Sequence, residues 1–328
     1  QEDADDGFHE PEVAHRLVYL VDENRWERTE TLVAVGKKMF AWGEHQGCIL
    51  VQDKTDGQIN VVKKSFDQDA PPADLYDSIK IEAIAEMMAE CFNQLNPPMK
   101  VHFMPCFLYI LAQRPNQPTV RVEPLVFNHD KAKLRAIHDA TTLERETLSA
   151  FELFTYHGSK KAFVITNPCR IGNMWAEPEM HSVDRSLGGA KNMGSRGINV
   201  FLLRHEYSPI AAQIGLDNPS NLHAQLATKA VKQPSDWKPE QELGANAASR
   251  NLDYIKRKLR ENGSLLPESL PGNPSALLPE VGRLSIGRAI SAEGSNRSRE
   301  GGFVDDIDPP EEDEGEYRQG NYGQDQEW

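Results

Sequence analysis

The chain has 328 residues and a net charge of −14, enough length to build a large two-lobed domain and too much for a small stapled fold. The charge sits at the ends: residues 1–12 hold six acids and no Lys or Arg, and residues 300–328 hold eleven acids against Arg318, which leaves residues 13–299 at +2 and argues against a nucleic-acid partner. Cys48, Cys91, Cys106 and Cys169 have no CxxC spacing, and no apolar run approaches the roughly 20 residues that cross a bilayer, so free thiols and a soluble cytoplasmic chain without a membrane partner are expected.

After an acidic segment at 1–15, residues 16–66 read as strands separated by turns: RLVYLV, ETLVAVGKKMFAWG, GCILVQD and INVVKKSF, with Asp56-Gly57 as a hairpin turn between the last two. Asp74 is the expected cap of a helix, LYDSIKIEAIAEMMAECFNQL, in which Ile81, Ile84, Met88, Cys91 and Leu95 recur at helical spacing until Pro97-Pro98 stops it. VHFMPCFLYILAQ and TVRVEPLVF are the next strand candidates, followed by a helix near 141–154 and the strand KAFVIT. Beyond Leu216, one helix is expected from about Asn246 to Asn262. Leu252, Ile255 and Leu259 mark one face, Lys256, Arg257, Lys258 and Arg260 the other, and Gly263 the stop. The proline-broken leucines up to residue 299 suggest an extended strap, and 300–328 a disordered acidic tail. Strap and tail are the segments expected to engage protein partners.

Several short motifs share an order. FAWG at Phe40–Gly43 is similar to the "FaxGxxR" turn of the alpha-kinases, and NVVKKSF resembles their lysine strand. RVEP at Arg121–Pro124 is similar to "vEP", and FELFTYH at Phe151–His157 to "FsHFtye". VITNPCRIGNMWAEPEMHS is similar to "vvtDlQGvg…ltDPqihS", and GAKNMGSRGINVFLLRHEY to "GpaNlGexGixxFfxxHxC". The chain therefore resembles an alpha-kinase, an atypical Ser/Thr protein kinase, over about residues 30–216. The resemblance implies an α+β, two-lobed protein-kinase-like fold with a β-rich N-lobe (about 16–120), a mixed C-lobe (about 121–216) and an extended C-terminal tail. ATP and Mg²⁺ are the cofactors that it implies.

A phosphoryl-transfer site needs a cation on the phosphates, oxygen ligands for Mg²⁺ and a group that orients the attacking hydroxyl. The resemblance puts Lys63 on the phosphates, with Lys64 one register away; by itself a KK pair also suits a strand end at the surface. It puts Glu123 near the adenine, as an acceptor for the amine or as a cap of the hinge, and Gly189, Asn192 and Gly194 in the loop that approaches the nucleotide. Asn167 stands where the family has the aspartate of "DlQG", Cys169 where it has glutamine and Arg170 where it has glycine. An amide oxygen is a usable but uncharged Mg²⁺ ligand and a thiol a poor one. Glu177 replaces the aspartate of "tDP" with a longer carboxylate, placed either to orient a hydroxyl or as a solvated loop acid. Gln46 occupies the position of the N-lobe arginine, and Arg170 is expected either to compensate or to fill the nucleotide pocket.

Of the four residues that hold structural zinc in the family, only His205 is kept. The others fall on Leu153, Tyr207 and Ala211, which are expected to form apolar core in place of the metal, so zinc is not expected. Loss of the charged residues favours a catalytically impaired pseudokinase with a binding, scaffold or assembly role; the alternative is an active, divergent ATP/Mg²⁺-dependent Ser/Thr kinase.

Overall fold

The computed structural model describes residues 7–43, 46–66, 72–126, 140–219 and 246–262. Residues 1–6, the strap from 263 to 299 and the acidic tail lie outside the described residues, as does the side chain of Leu259. No described helix is long and apolar enough to cross a membrane.

Alternating burial builds the N-lobe. Along β3 (Gln46–Asp53), Gly47, Ile49, Val51 and Asp53 are buried while the residues between them are partly exposed, the period of a strand with one face in a core. β3 pairs antiparallel with β2 (Arg25–Trp42) and β4 (Ile59–Ser65), and a tight turn through Gly57 (φ 76°) joins β3 to β4. With β1 (Glu12–Leu20), β5 (Phe107–Leu111) and β6 (Thr119–Pro124) the sheet closes in the order β1-β2-β3-β4-β6-β5, which leaves no free edge. Asp53 sits inside this barrel, accepting from Thr31 Oγ1 and Tyr109 Oη, each at 2.8 Å.

The helix α1 (Pro72–Asn93) packs on β1, β5 and β6 on one side and meets α2 (Thr142–Gly158) on the other, so it is buried on nearly every face. It ends where the Asn93 side chain bonds the backbone of Val101 in both directions, at 2.7 and 2.9 Å. α2 starts in a capping box: Thr141 Oγ1 accepts from Glu144 N, and Glu144 Oε2 accepts from Thr141 N. The C-lobe adds the pair β7 (Phe163–Thr166) and β10 (Glu179–Ser182), the hairpin β8 (Cys169–Ile171) and β9 (Met174–Ala176), and the helices α3 (Ser195–Arg204) and α4 (Pro209–Gln213). One hydrophobic core runs from Leu17 and Tyr19 of β1 through α1, α2 and Trp175 to α3. Phe92 meets Phe151 and Phe154 edge-on at its centre.

The expected helix near 246–262 forms as α5 (Ala247–Asn262), and Ala247, Ala248, Leu252 and Ile255 join the same core. Asn251 Nδ2 donates to Ser159 O in the C-lobe at 2.9 Å, and Arg260 Nη2 to Asp22 O beside the barrel at 2.8 Å, so α5 ties the two lobes together from outside the cleft.

Four expectations are corrected. The long strand VHFMPCFLYILAQ shrinks to Phe107–Leu111, because Pro105 lacks the N–H a ladder needs. α1 begins at Pro72, so Asp74 lies in the first turn, where its charge favours the helix dipole. Arg121 and Glu123, expected at the start of the C-lobe, are in the barrel strand β6. Lys256, expected on the polar face of α5, is 2% exposed; burial lowers its pKa, with Asp253 at 3.8 Å opposing.

The completely buried Ile255 makes α5 part of the fold. Ile255→Ala is expected to cost about 2–5 kcal/mol in urea unfolding, against under about 0.5 kcal/mol for Arg257→Ala on its exposed side.

Candidate active site

The period of two and the strand register assemble the charged residues. β4 pairs with β6 so that Lys63 lies opposite Arg121 and Val61 opposite Glu123, which puts Lys63, Arg121 and Glu123 on one face. One turn apart on α1, Ser78 and Glu82 face the same spot, and Arg121 donates to Ser78 Oγ at 3.3 Å and Glu82 Oε2 at 2.8 Å. Arg121 Nε donates to Glu123 Oε1 at 2.7 Å, Glu123 Oε2 lies 2.9 Å from Lys63 Nζ, and Lys63 Nζ donates to Glu177 Oε1 at 2.6 Å. The backbone N–H of Glu177 closes the circuit onto Glu82 Oε1 at 3.2 Å. The ring Glu177–Lys63–Glu123–Arg121–Glu82 thus links β4, β6, α1 and the segment between β9 and β10.

Its electrostatics follow from burial. Lys63 is 8% exposed; burial works against its charge, but Glu123 and Glu177 outweigh burial and hold its pKa above the ordinary lysine value. For Glu177 burial raises the pKa, and Lys63 outweighs it to leave the carboxyl below its usual range. Glu82 is completely enclosed, and burial pushes its pKa up in spite of Arg121.

Both oxygens of Glu123 are engaged in the ring, so this side chain anchors Lys63. Gln46, at the expected arginine position, lies 3.4 Å from Glu177 Oε1. Arg170, the residue expected either to compensate or to fill the nucleotide pocket, pairs with Glu144 of α2 at 3.0 Å, donates to Gly172 O and stacks over Trp175.

Asn167 and Glu177 both have left-handed backbone, at φ 54° and 56°. This conformation is tolerable for Asn but uncommon for Glu, and strain of this kind collects at functional sites. Asn167 Nδ2 donates to Glu179 Oε2 at 3.1 Å, and its backbone N–H to Glu152 Oε1 at 3.3 Å; burial raises the pKa of Glu152 to about 8. Gly189, Asn192 and Gly194 are brought together in a loop that Asn192 ties to the end of β10. Asn192 accepts from Ser182 N and Gly194 N and donates to Ser182 Oγ and Leu187 O. Gly194 (φ 66°, ψ −149°), in backbone that favours glycine, caps α3. Sequence reasoning missed Arg121, Glu82 and Glu179. The signal for the first two was a charged residue in strand alternation with Glu123 and an acid on the apolar face of α1.

Around His205, Leu153 and Ala211 are fully buried in the core and Tyr207 packs against it, the apolar filling expected there. The His205 ring lies 4.7 Å from that of Phe201, and its Nε2 3.5 Å from Ser149 Oγ. Among the described residues, no three His, Cys, Asp or Glu side chains are grouped so as to hold a metal. Burial, then His157, lowers the pKa of His205 to about 4. The unfolded chain takes up this proton near pH 6.5, so stability is expected to fall as pH drops from about 6.5 to 4. Urea unfolding checks it: His205→Asn is expected to flatten the slope.

The family model that matches is that of the alpha-kinase family, over residues 37–211. The chain is 26% identical to Alpha-protein kinase 1 of Dictyostelium discoideum over 62% of its own length and 16% of that protein. It is 27% identical to Myosin heavy chain kinase A of the same organism over 70% and 18%, and 22% identical to mouse (Mus musculus) Eukaryotic elongation factor 2 kinase over 76% and 33%. It therefore spans less than a fifth of the two Dictyostelium proteins. The apoenzyme alpha-kinase domain of Myosin-II heavy chain kinase A superposes with a TM-score of 0.57 at 21% identity, covering 64% of this chain and 98% of that one. With its β-barrel N-lobe, its C-lobe and this match over more than half its length, the chain belongs to the alpha-kinase family.

Proposed function

We propose that this is a nucleotide-binding alpha-kinase domain in which phosphoryl transfer is impaired, serving chiefly in binding or assembly. The observation that carries it is the contrast between two positions. Lys63 is held as a buried, charged lysine on the cleft face, whereas Asn167 offers an uncharged amide where the family pattern has aspartate. Solved complexes of the related Myosin heavy chain kinase A domain with ATP, ADP and AMP support a nucleotide at this site. Two inactive variants of that domain, each with one aspartate replaced by alanine, are altered at positions ten apart, the spacing of Asn167 and Glu177.

The residues fit the group. Lys63 would hold phosphate oxygens, and Mg²⁺ would draw on the Glu177 carboxylate, the Asn167 amide oxygen and the phosphates, the oxygen-rich set that it prefers. Mg²⁺ would neutralise charge on the transferring phosphoryl group. Until then Glu177 occupies Lys63 directly, so the ion pair competes with the phosphates. Protein partners of the strap and tail are part of the same proposal. A second reading, an active divergent Ser/Thr kinase, is favoured by the Glu179 carboxylate beside Asn167.

Titration calorimetry with ATP and ADP tests the reading. Binding is expected to tighten at least tenfold with Mg²⁺, and to depend less on Mg²⁺ in Glu177→Ala, whose lysine is already released. Lys63→Met should abolish it and, by stranding buried carboxylates, cost about 3–5 kcal/mol of stability. A folded wild-type chain that binds no nucleotide leaves only a scaffold.

A further inference from the structure

In the family pattern, the aspartate of "DlQG" and the glutamine of "tDPq" fall on positions 167 and 179. This chain has Asn167 and Glu179, the same carboxylate and amide with their positions exchanged. The fold makes the exchange local. β7 and β10 pair antiparallel with Thr166 opposite Glu179, so the residue after β7 meets the first residue of β10. The left-handed backbone of Asn167 turns its amide onto Glu179 Oε2, at 3.1 Å. The negative charge has moved across one hydrogen bond.

The surroundings suit a working carboxylate. Glu179 follows Glu177 by two residues, and Glu177 is bonded to Lys63. Its other oxygen pairs with Lys191 of the glycine loop at 3.2 Å; that lysine side chain is 73% exposed and Glu179 itself 25%. A hydroxyl arriving from solvent can displace such a lysine.

We propose that Glu179 is the catalytic carboxylate of this site, accepting the proton of the substrate hydroxyl in place of an acid at 167, and that it carries what transfer the domain retains. The hydroxyl oxygen bonds to the γ-phosphorus of ATP, and the bond from that phosphorus to the β,γ-bridging oxygen breaks. ADP leaves with the electron pair, and the hydroxyl proton passes to Glu179 Oε1, the oxygen that Lys191 vacates, and then to water. The proposal rests on the reading that nucleotide binds at Lys63.

The test uses the full chain, radiolabelled ATP, a degenerate Ser/Thr peptide mixture and calorimetry with ADP. Glu179→Gln is expected to slow transfer at least about 100-fold and to leave ADP affinity within twofold. The exchanged double variant Asn167→Asp/Glu179→Gln should restore transfer to the wild-type rate or above. Lys191→Met, which removes the loop tie but keeps the carboxylate, should lose far less transfer than Glu179→Gln. Wild-type chain that binds ADP but transfers nothing overturns the proposal. So does Glu179→Gln at the wild-type rate, failure of the double variant to recover, or a Lys191→Met loss equal to that of Glu179→Gln, which would make Glu179 a loop clamp. Absence of ADP binding in the wild type instead removes the nucleotide reading beneath it.

Discussion

A buried ring of three carboxylates and two cations holds the cleft together, and each member is there because another needs it. Lys63 alone would be a desolvated ammonium inside an apolar lobe, a state that burial disfavours strongly. Glu123 and Glu177 make it tolerable, Arg121 shares Glu123, and Glu82 answers Arg121 from α1. Such networks add little net stability over an apolar core but penalise any arrangement that breaks them. The consequence is geometric: β4, β6, α1 and the Glu177 segment can meet in only one register. Lys63 is therefore fixed in place by its own neighbours.

The departures from the family pattern lie around this ring. Gln46 and Glu177 touch it from the cleft side, and Asn167 lies beyond it on the C-lobe. Arg170 pairs with Glu144 and lies over Trp175. Near His205, Leu153 and Ala211 are fully buried, so this part of the C-lobe depends on close packing and on a histidine kept neutral by burial. α5, beyond the family-matched residues, adds core of its own and bonds both lobes.

Much of the fold was legible because its signals are local. β3 alternates, β1 to β4 are apolar runs separated by turns, α1 repeats at helical spacing and α2 has a capping box, all readable within short segments. α3 was not read as a helix, since SRGINVFLLR mixes glycine and β-branched residues, and its buried face forms it against β7 and β10. At the site, Lys63 and Glu177 were nameable from motif order, but nothing local shows that the two oxygens of Glu123 meet Arg121 and Lys63.

By itself, the sequence determined most of the strands, the two long helices and the motif order that names Lys63 and Glu177 as candidates. Those depend on periodicity and residue chemistry, which are properties of short segments. Only the tertiary structure decided which charges meet. Arg121 and Glu82 are 39 residues apart and Lys63 and Glu177 are 114 apart, and their pairing is set by strand register and helix packing. The same holds for Asn167 and Glu179: the sequence shows an amide and an acid twelve residues apart, and the β7–β10 register makes them neighbours.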